Sequence, residues 1–348
     1  MLTKPSAIPV SSADRVLAAA RELLLDVPSG LTTARSPAPL DDILAILLST
    51  RYRRSSLAPA SQQKIRAYVE RQMTDRLPIR CYVMVGGYKQ ARLSSAPHID
   101  WAEVFNVRHM LRLACELAAR YESGVELVWR FHTSILSQIN NYSLSDFEVY
   151  AQEFDRLLAH YAQCLGDIPI TMRIEYAGNP REGESYVGQL EPQLEQYERW
   201  FDGLGEHEQA QLIAKSWRNI KWEGREQWAG LNEHEKYDKA KRALLLDKAF
   251  LDNDPITSTP TCETGITIYS RAGGAHDRLQ YGGCSASSVQ FWAGEGVFEV
   301  RTERVVPVIM PYSSNTRIVR EQIAIPDTTS IAPTLTHVFW YQDTGYTK

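Results

Sequence analysis

The stretch IRCYVMVGGYKQARLSSAPHIDWAEVF, residues 79–105, reads as a strand, a glycine pair, a loop rich in basic and hydroxyl residues, and the start of a helix. Its first seven positions are dominated by β-branched, aromatic and other apolar residues, the composition of a buried strand. A bare strand-to-helix connection needs about two to six residues. This one takes about a dozen by strand-to-helix counting, and a connection of that length is expected to hold something.

Two later runs repeat the pattern. VELVWRF (125–131) and ITMRIEY (170–176) begin 46 and then 45 residues further along. Each interval contains a helical periodicity. Val104, Val107, Leu111, Ala114, Leu117 and Tyr121 recur at three and four in the first, and Phe147, Tyr150, Phe154, Leu157, Leu158 and Tyr161 in the second. Strand, helix, strand, helix, strand predicts a mainly parallel sheet covered on both faces, a doubly wound α/β core.

Around this core the chain changes character twice. Residues 1–78 predict a helical N-terminal region, with helices over 13–27, 39–54 and 61–75 joined by linker-like TTARSPAP and SSLAPAS. The α/β core with a helical insertion occupies 79–252, the insertion carrying helices over 185–204, 206–217 and 234–250. Between the last two, RNIKWEGREQWAG (218–230) is aromatic and basic enough to cover a cleft. Residues 253–348 predict a β-rich part that completes or covers the core, through GITIYS, SSVQFWA, GVFEVR, VVPVIMP and THVFWYQD.

Composition narrows the function. At 348 residues, 44% apolar and 23% charged, the chain can bury a sizeable core. Its 38 basic residues against 42 acidic ones, with no long run of one sign, argue against nucleic acid as a partner. The five cysteines (Cys81, Cys115, Cys164, Cys262, Cys284) are scattered, form no C-x-x-C and suggest no zinc or other metal site. No apolar run approaches the ~18 residues of a membrane span, and no signal-peptide pattern opens the sequence. The expectation is a reduced, soluble, cytoplasmic protein, with its oligomeric state left open.

In open α/β sheets ligands bind beyond the carboxyl ends of the strands. That rule selects three loops, 86–98, 130–141 and 175–185. Gly86 and Gly87 permit close backbone approach and a positive φ. Lys89 and Arg92, beside Ser94 and Ser95, are candidate holders of a phosphate or carboxylate near a helix N-terminus. The pattern is neither G-x-G-x-x-G nor a P-loop, so no nucleotide cofactor is implied. Asp100 and Glu103, at D-x-x-E spacing, predict a capping box rather than paired catalytic acids. Arg130 and His132 alternate to the same side at the end of the second strand, where they could meet an anionic substrate. Glu175, near the end of the third and able to pair with Arg173, is a candidate acid or base. Further on, Arg271 and Arg278 flank His276 and Asp277 between two glycine pairs, a possible second anion-binding loop or a mobile hairpin tip.

The opening stretch resembles the isocyanide synthase family, the pyoverdine and dityrosine biosynthesis proteins. A strand is followed by an aromatic–lysine pair, Tyr88-Lys89, and then by Pro97 and Asp100 leading into a long helix. The family has phenylalanine-lysine at the first position and YPPG before the next strand, where this chain reads YESGVELVW (121–129). SDFEVYAQEFDRLLAHY (145–161) is similar to the family's following helix. The likeness covers about residues 79–165. The family's Ser-Asp-Gly after the second strand is replaced by Arg130-Phe131-His132.

What the resemblance implies is a cofactor-independent enzyme of secondary metabolism. An amino acid's amine condenses with the ketone of ribulose 5-phosphate, and acid–base eliminations leave the nitrogen and one carbon as an isocyanide. Lys89, Arg92 and Arg130 then suit phosphate binding, His132 and Glu175 proton transfer, and Arg271 and Arg278 stand for the family's arginine-rich motif. Trp222 or Trp228 would wall the amino acid side chain. Two other readings use the same loops: a transferase with a nucleotide-linked or phosphorylated donor, and a non-catalytic α/β binding protein.

Overall fold

The computed structural model describes residues 11–25, 39–132, 144–177, 183–222, 230–253, 256, 261–269, 279–282, 284, 289–302, 304–311, 321–325, 328 and 330–342. The three runs that carry the sequence pattern form β1 (Ile79–Val85), β2 (Val125–Phe131) and β3 (Ile170–Tyr176). They are mutually parallel, in register from Ile79–Val125–Ile170 to Val85–Phe131–Tyr176. After β3 the chain returns across the sheet and places β5 (Gly265–Tyr269) parallel to the other side of β1. Two-residue strands β4 (Thr261–Cys262) and β6 (Leu279–Gln280) pair with β5, the first antiparallel and the second parallel. The order β3-β2-β1-β5-β4 reverses its winding at β1, and the crevice at such a reversal is where this class of sheet binds ligands.

The crossover helices α4 (Trp101–Ala118) and α5 (Leu144–Leu165) cover one face. Alternate strand residues Val83, Val85, Leu127, Trp129 and Phe131 point beneath them and are almost fully buried. Phe154 packs edge-on against Trp129 and Phe131, with centroids 5.8 and 5.5 Å away. The other face differs from the near-continuous apolar surface expected of these strands. The period of two sends Arg80, Glu126, Arg130, Arg173 and Glu175 to it together. Among the described residues, Tyr82, Met84 and Val128 form an apolar patch there, closed by Ile256 and Tyr269.

A second sheet lies beyond the helices. It consists of β7 (Gly294–Val300), β8 (Val305–Pro311), β9 (Glu321–Ala324) and β10 (His337–Gln342), in the order β8-β7-β10-β9. Strands β7 and β10 are parallel, and the outer pairs are antiparallel. This sheet closes on the far side of α4, so that 16 of the helix's 18 residues are buried. Phe298 of β7 meets Trp101 and Phe105 of α4 at 5.8 and 5.1 Å between ring centroids. The segment SSVQFWA, expected to be a strand, instead ends in a 3-10 turn at Phe291–Ala293. The carbonyls of Phe291 and Trp292 are taken by Lys89 Nζ and Gln90 N–H.

Helices α1 (Ser12–Leu25), α2 (Leu40–Leu47) and α3 (Pro59–Asp75) share one continuous core with both sheets. Helices α6 (Gly183–Asp202), α7 (Glu206–Trp222) and α8 (Glu233–Asn253) build smaller apolar clusters of their own, the larger centred on Leu190, Leu194, Phe201, Leu246 and Phe250. Among the described residues no helix is long and apolar enough to cross a membrane.

Candidate active site

The 86–98 connection is long because it braces the two sheets against each other. Gly87 takes φ 91°, a left-handed value that suits glycine. The close approach at Gly86 is made by protein: a Cβ there would come within 2.9 Å of the Trp292 indole nitrogen. Gln90 N–H donates to the Trp292 carbonyl, and the Ser94 N–H and hydroxyl both donate to Glu295 Oε1, at 2.9 and 2.6 Å. Each contact joins the loop to residues some two hundred positions away.

Lys89 lies elsewhere than on the surface of this loop. The expectation that it projects outward to an anion is corrected by a side chain that is 0% exposed. Its ammonium sits 2.8 Å from Glu103 Oε2, 3.1 Å from Asp100 Oδ2 and 3.1 Å from the Phe291 carbonyl. The expected capping box is present, and the same carboxylates hold the lysine. Asp100 accepts from Ala102 N–H, Glu103 reaches back to Asp100 N–H, and Tyr150 donates its hydroxyl to Glu103. Burial pushes the Glu103 carboxyl up to about 8 against the pull of Lys89. Burial also works against the Lys89 charge, but Asp100 and Glu103 outweigh it and hold the ammonium above its ordinary value. Two carboxylates around one ammonium leave no positive charge for a ligand.

A second group of polar side chains gathers on the other face of the sheet, toward the carboxyl ends of β2 and β3. Arg130 Nη1 meets Glu175 Oε1 at 2.9 Å, and Arg173 Nη1 meets Glu175 Oε2 at 3.0 Å. Arg173 Nε continues to Glu126 at 2.8 Å, and Arg80 closes the ladder on the other Glu126 oxygen. Burial works to raise the Glu126 carboxyl, yet hydrogen bonds from Arg173 and Arg80 hold it below its ordinary value. Glu175 is 27% exposed and Arg130 12%, so the upper end of this ladder is within reach of a ligand.

His132 follows Arg130 on the same strand line. Its backbone N–H donates to the Val85 carbonyl, and its ring stands edge-on to Phe250 of α8, 4.9 Å between centroids. Burial, with the Arg130 charge adding, pushes the imidazole down to about 3, so it is neutral at neutral pH. Nε2 is buried with no hydrogen-bond partner among the described residues. The structure therefore brings together Arg130, His132 and Glu175. It separates Lys89 from them by burying it, and leaves Arg92 half-buried on the brace. Arg271, Arg278 and Trp228 lie outside the described residues, as does the Trp222 side chain.

Glu126 and Glu295 were not singled out in the sequence, and neither was a further polar pair. His98 Nδ1 lies 2.7 Å from Glu153 Oε1, and Ile99 N–H donates to Glu153 Oε2 at 3.1 Å. The signal was faint, a lone acid at an apolar position of α5, where a buried carboxylate needs a partner. Among the described residues no group of three or more His, Cys, Asp or Glu side chains is placed to hold a metal ion.

The sequence matches no protein-family model and no curated protein. The fold is similar to that in the crystal structure of the PvcA protein from Pseudomonas aeruginosa, with a TM-score of 0.59 at 13% identity over 86% of this chain and 99% of that one. At that identity the likeness is one of fold.

Proposed function

We propose that the chain is an isocyanide-synthase-like enzyme of secondary metabolism, joining the amine of an amino acid to a phosphorylated sugar such as ribulose 5-phosphate. The observation that carries this reading is a fold like that of PvcA over 86% of this chain. The residue pattern of 79–165 resembles that same family.

The chemistry assigned to the site follows from its charges. A phosphate or carboxylate of the substrate exchanges with Glu175 for Arg130, whose planar fork suits a two-point contact. Glu175 stays tethered to Arg173 and takes up the proton that the amine loses as it attacks the ketone. The neutral His132 ring, which burial keeps from taking up a proton, offers its unpartnered Nε2 to the substrate as a hydrogen-bond partner. Glu175, once it has passed on its first proton, takes the one removed from carbon. Condensation forms the C=N bond and releases the ketone oxygen as water; both carbon–carbon bonds of that carbon then break in the eliminations, which leaves it alone on nitrogen.

The test is direct. The purified chain is incubated with ribulose 5-phosphate carrying 13C at the ketone carbon and with each proteinogenic amino acid in turn, and products are trapped with a tetrazine and read by mass spectrometry. A trapped isocyanide with the label in its terminal carbon is expected. If no amino acid yields a labelled isocyanide, the reading fails.

A further inference from the structure

Sheet edges in this molecule are treated unequally. At the far end of the main sheet, β4 is only two residues long. In the second sheet, edge strand β8 carries Pro307 and Pro311, and edge strand β9 is four residues that begin with an exposed Glu321. Short strands, prolines and charges are the devices that keep an edge from pairing with another chain. Strand β3 is neither short nor broken by proline, and its two charges, Arg173 and Glu175, are of opposite sign and paired with each other. It is a regular seven-residue edge without proline, glycine or lysine.

The direction of its backbone groups can be read from its partner. Ala177 N–H donates to the Phe131 carbonyl and Val125 N–H to the Pro169 carbonyl, so odd-numbered positions turn toward β2. Even-numbered Met172, Ile174 and Tyr176 therefore turn their N–H and C=O groups outward. Met172 and Ile174 are half-buried, and Tyr176 is among the exposed large apolar side chains at 38%.

We propose that β3 is a homodimer interface, pairing antiparallel with β3 of a second copy of this chain about a two-fold axis at Ile174. The interface shares Arg173 and Glu175 with the proposed function, and its test reads the oligomeric state alone. An isologous antiparallel pair must match outward-facing positions with each other, so even meets even. Centring on Ile174 sets Arg173 of one copy opposite Glu175 of the other, twice, and extends the charge ladder across the axis. The same register stacks Met172 on Tyr176 and Ile174 on its own copy along the apolar face. A shift of one step either way places Arg173 on Arg173 or Glu175 on Glu175, which disfavours it. The two main sheets become one continuous sheet, with the Glu175 of each candidate site one residue from the axis.

Sedimentation velocity of the intact chain at micromolar concentration should give about twice its 39.5 kDa mass. Ile174→Pro should be a monomer with unchanged circular dichroism, because the N–H it removes points away from β2 and edge strands tolerate proline. Ile174→Cys should form an intermolecular disulfide on mild oxidation, since Cα atoms of such a pair lie about 5.5 Å apart. Thr171→Cys should not, as its copies sit about 20 Å apart in this register. A monomeric wild type, a dimer that survives Ile174→Pro, or no disulfide at position 174 overturns the proposal.

Discussion

Lys89 shows how a single side chain can be right in type and misjudged in setting. In the sequence it is a cation on a loop at the carboxyl end of a strand, the expected place for an anion. In the fold its charge is already matched by Asp100 and Glu103, and the burial of all three makes each depend on the others. Lys89→Met should therefore unfold more easily by about 3–5 kcal/mol, the cost of leaving a buried charge without its partner. Urea denaturation of both proteins checks this; a loss under about 1 kcal/mol, the scale of an exposed ion pair, would mean the cluster is not desolvated.

The buried histidines supply a second outcome at this scale. His132 is pushed down to about 3 and His109, under burial and the charges of Arg112, Arg54 and Arg51, to about 4. In the unfolded chain both take up protons near pH 6.5. The native state refuses those protons, so stability is full above that pH and is lost as pH falls toward the folded values. Each ring contributes a slope of up to about 1.4 kcal/mol per pH unit in its window. Urea midpoints measured from pH 7 to pH 5 should fall, and His132→Asn should flatten the fall. Glu103, pushed up to about 8, works the other way over the same range, so the check is the difference: a His132→Asn midpoint that falls as steeply as the wild type's would contradict the burial of His132.

At the scale of elements, what is local was visible in advance. The strands at 79–85, 125–131 and 170–176 lie where their composition placed them, because alternation and β-branching act between neighbours. The Asp100–Glu103 box was equally readable, since a cap needs only residues three apart. Helix α4 was readable as a helix but not as a helix buried all round. Its Glu103, Asn106, Arg108 and His109 look like a solvated face, yet all four are buried beneath other elements. The second sheet presses so close that a Cβ at Gly296 would fall 2.2 Å from Ala102 N and Trp101 C. Gly296→Ala must then push β7 off the start of α4, at more than the ~1–3 kcal/mol of ordinary overpacking, since the obstacle is backbone. Thermal melting should show the loss, and an unchanged midpoint would argue against this contact.

Among the described residues one principal core is accompanied by smaller apolar clusters. The N-terminal helices, both sheets and α4 bury a common set of side chains, whereas α6, α7 and α8 close mainly on each other. Residues that share a core open together, and smaller satellites open at lower free energy. Hydrogen exchange read by mass spectrometry should find β1, β2, α4 and β7 protected to a common limit, with α6 to α8 exchanging earlier. Protection of α6 to α8 equal to that of β1 would show instead a single cooperative unit.

The sequence alone determined the mainly parallel core, its three leading strands, the helices between them and the cap on α4. Each of these follows from side chains close together in the chain, whose periodicity survives without knowledge of the rest. Tertiary structure alone decided what the polar residues do. Ser94 finds Glu295 and Lys89 finds the Phe291 carbonyl across some two hundred residues, and no spacing rule relates them. The same holds for Arg130 and Glu175, 45 residues apart, which meet because parallel strands bring their positions side by side. Charge has no period, so a charged side chain acquires its partner only when the fold has chosen its neighbours.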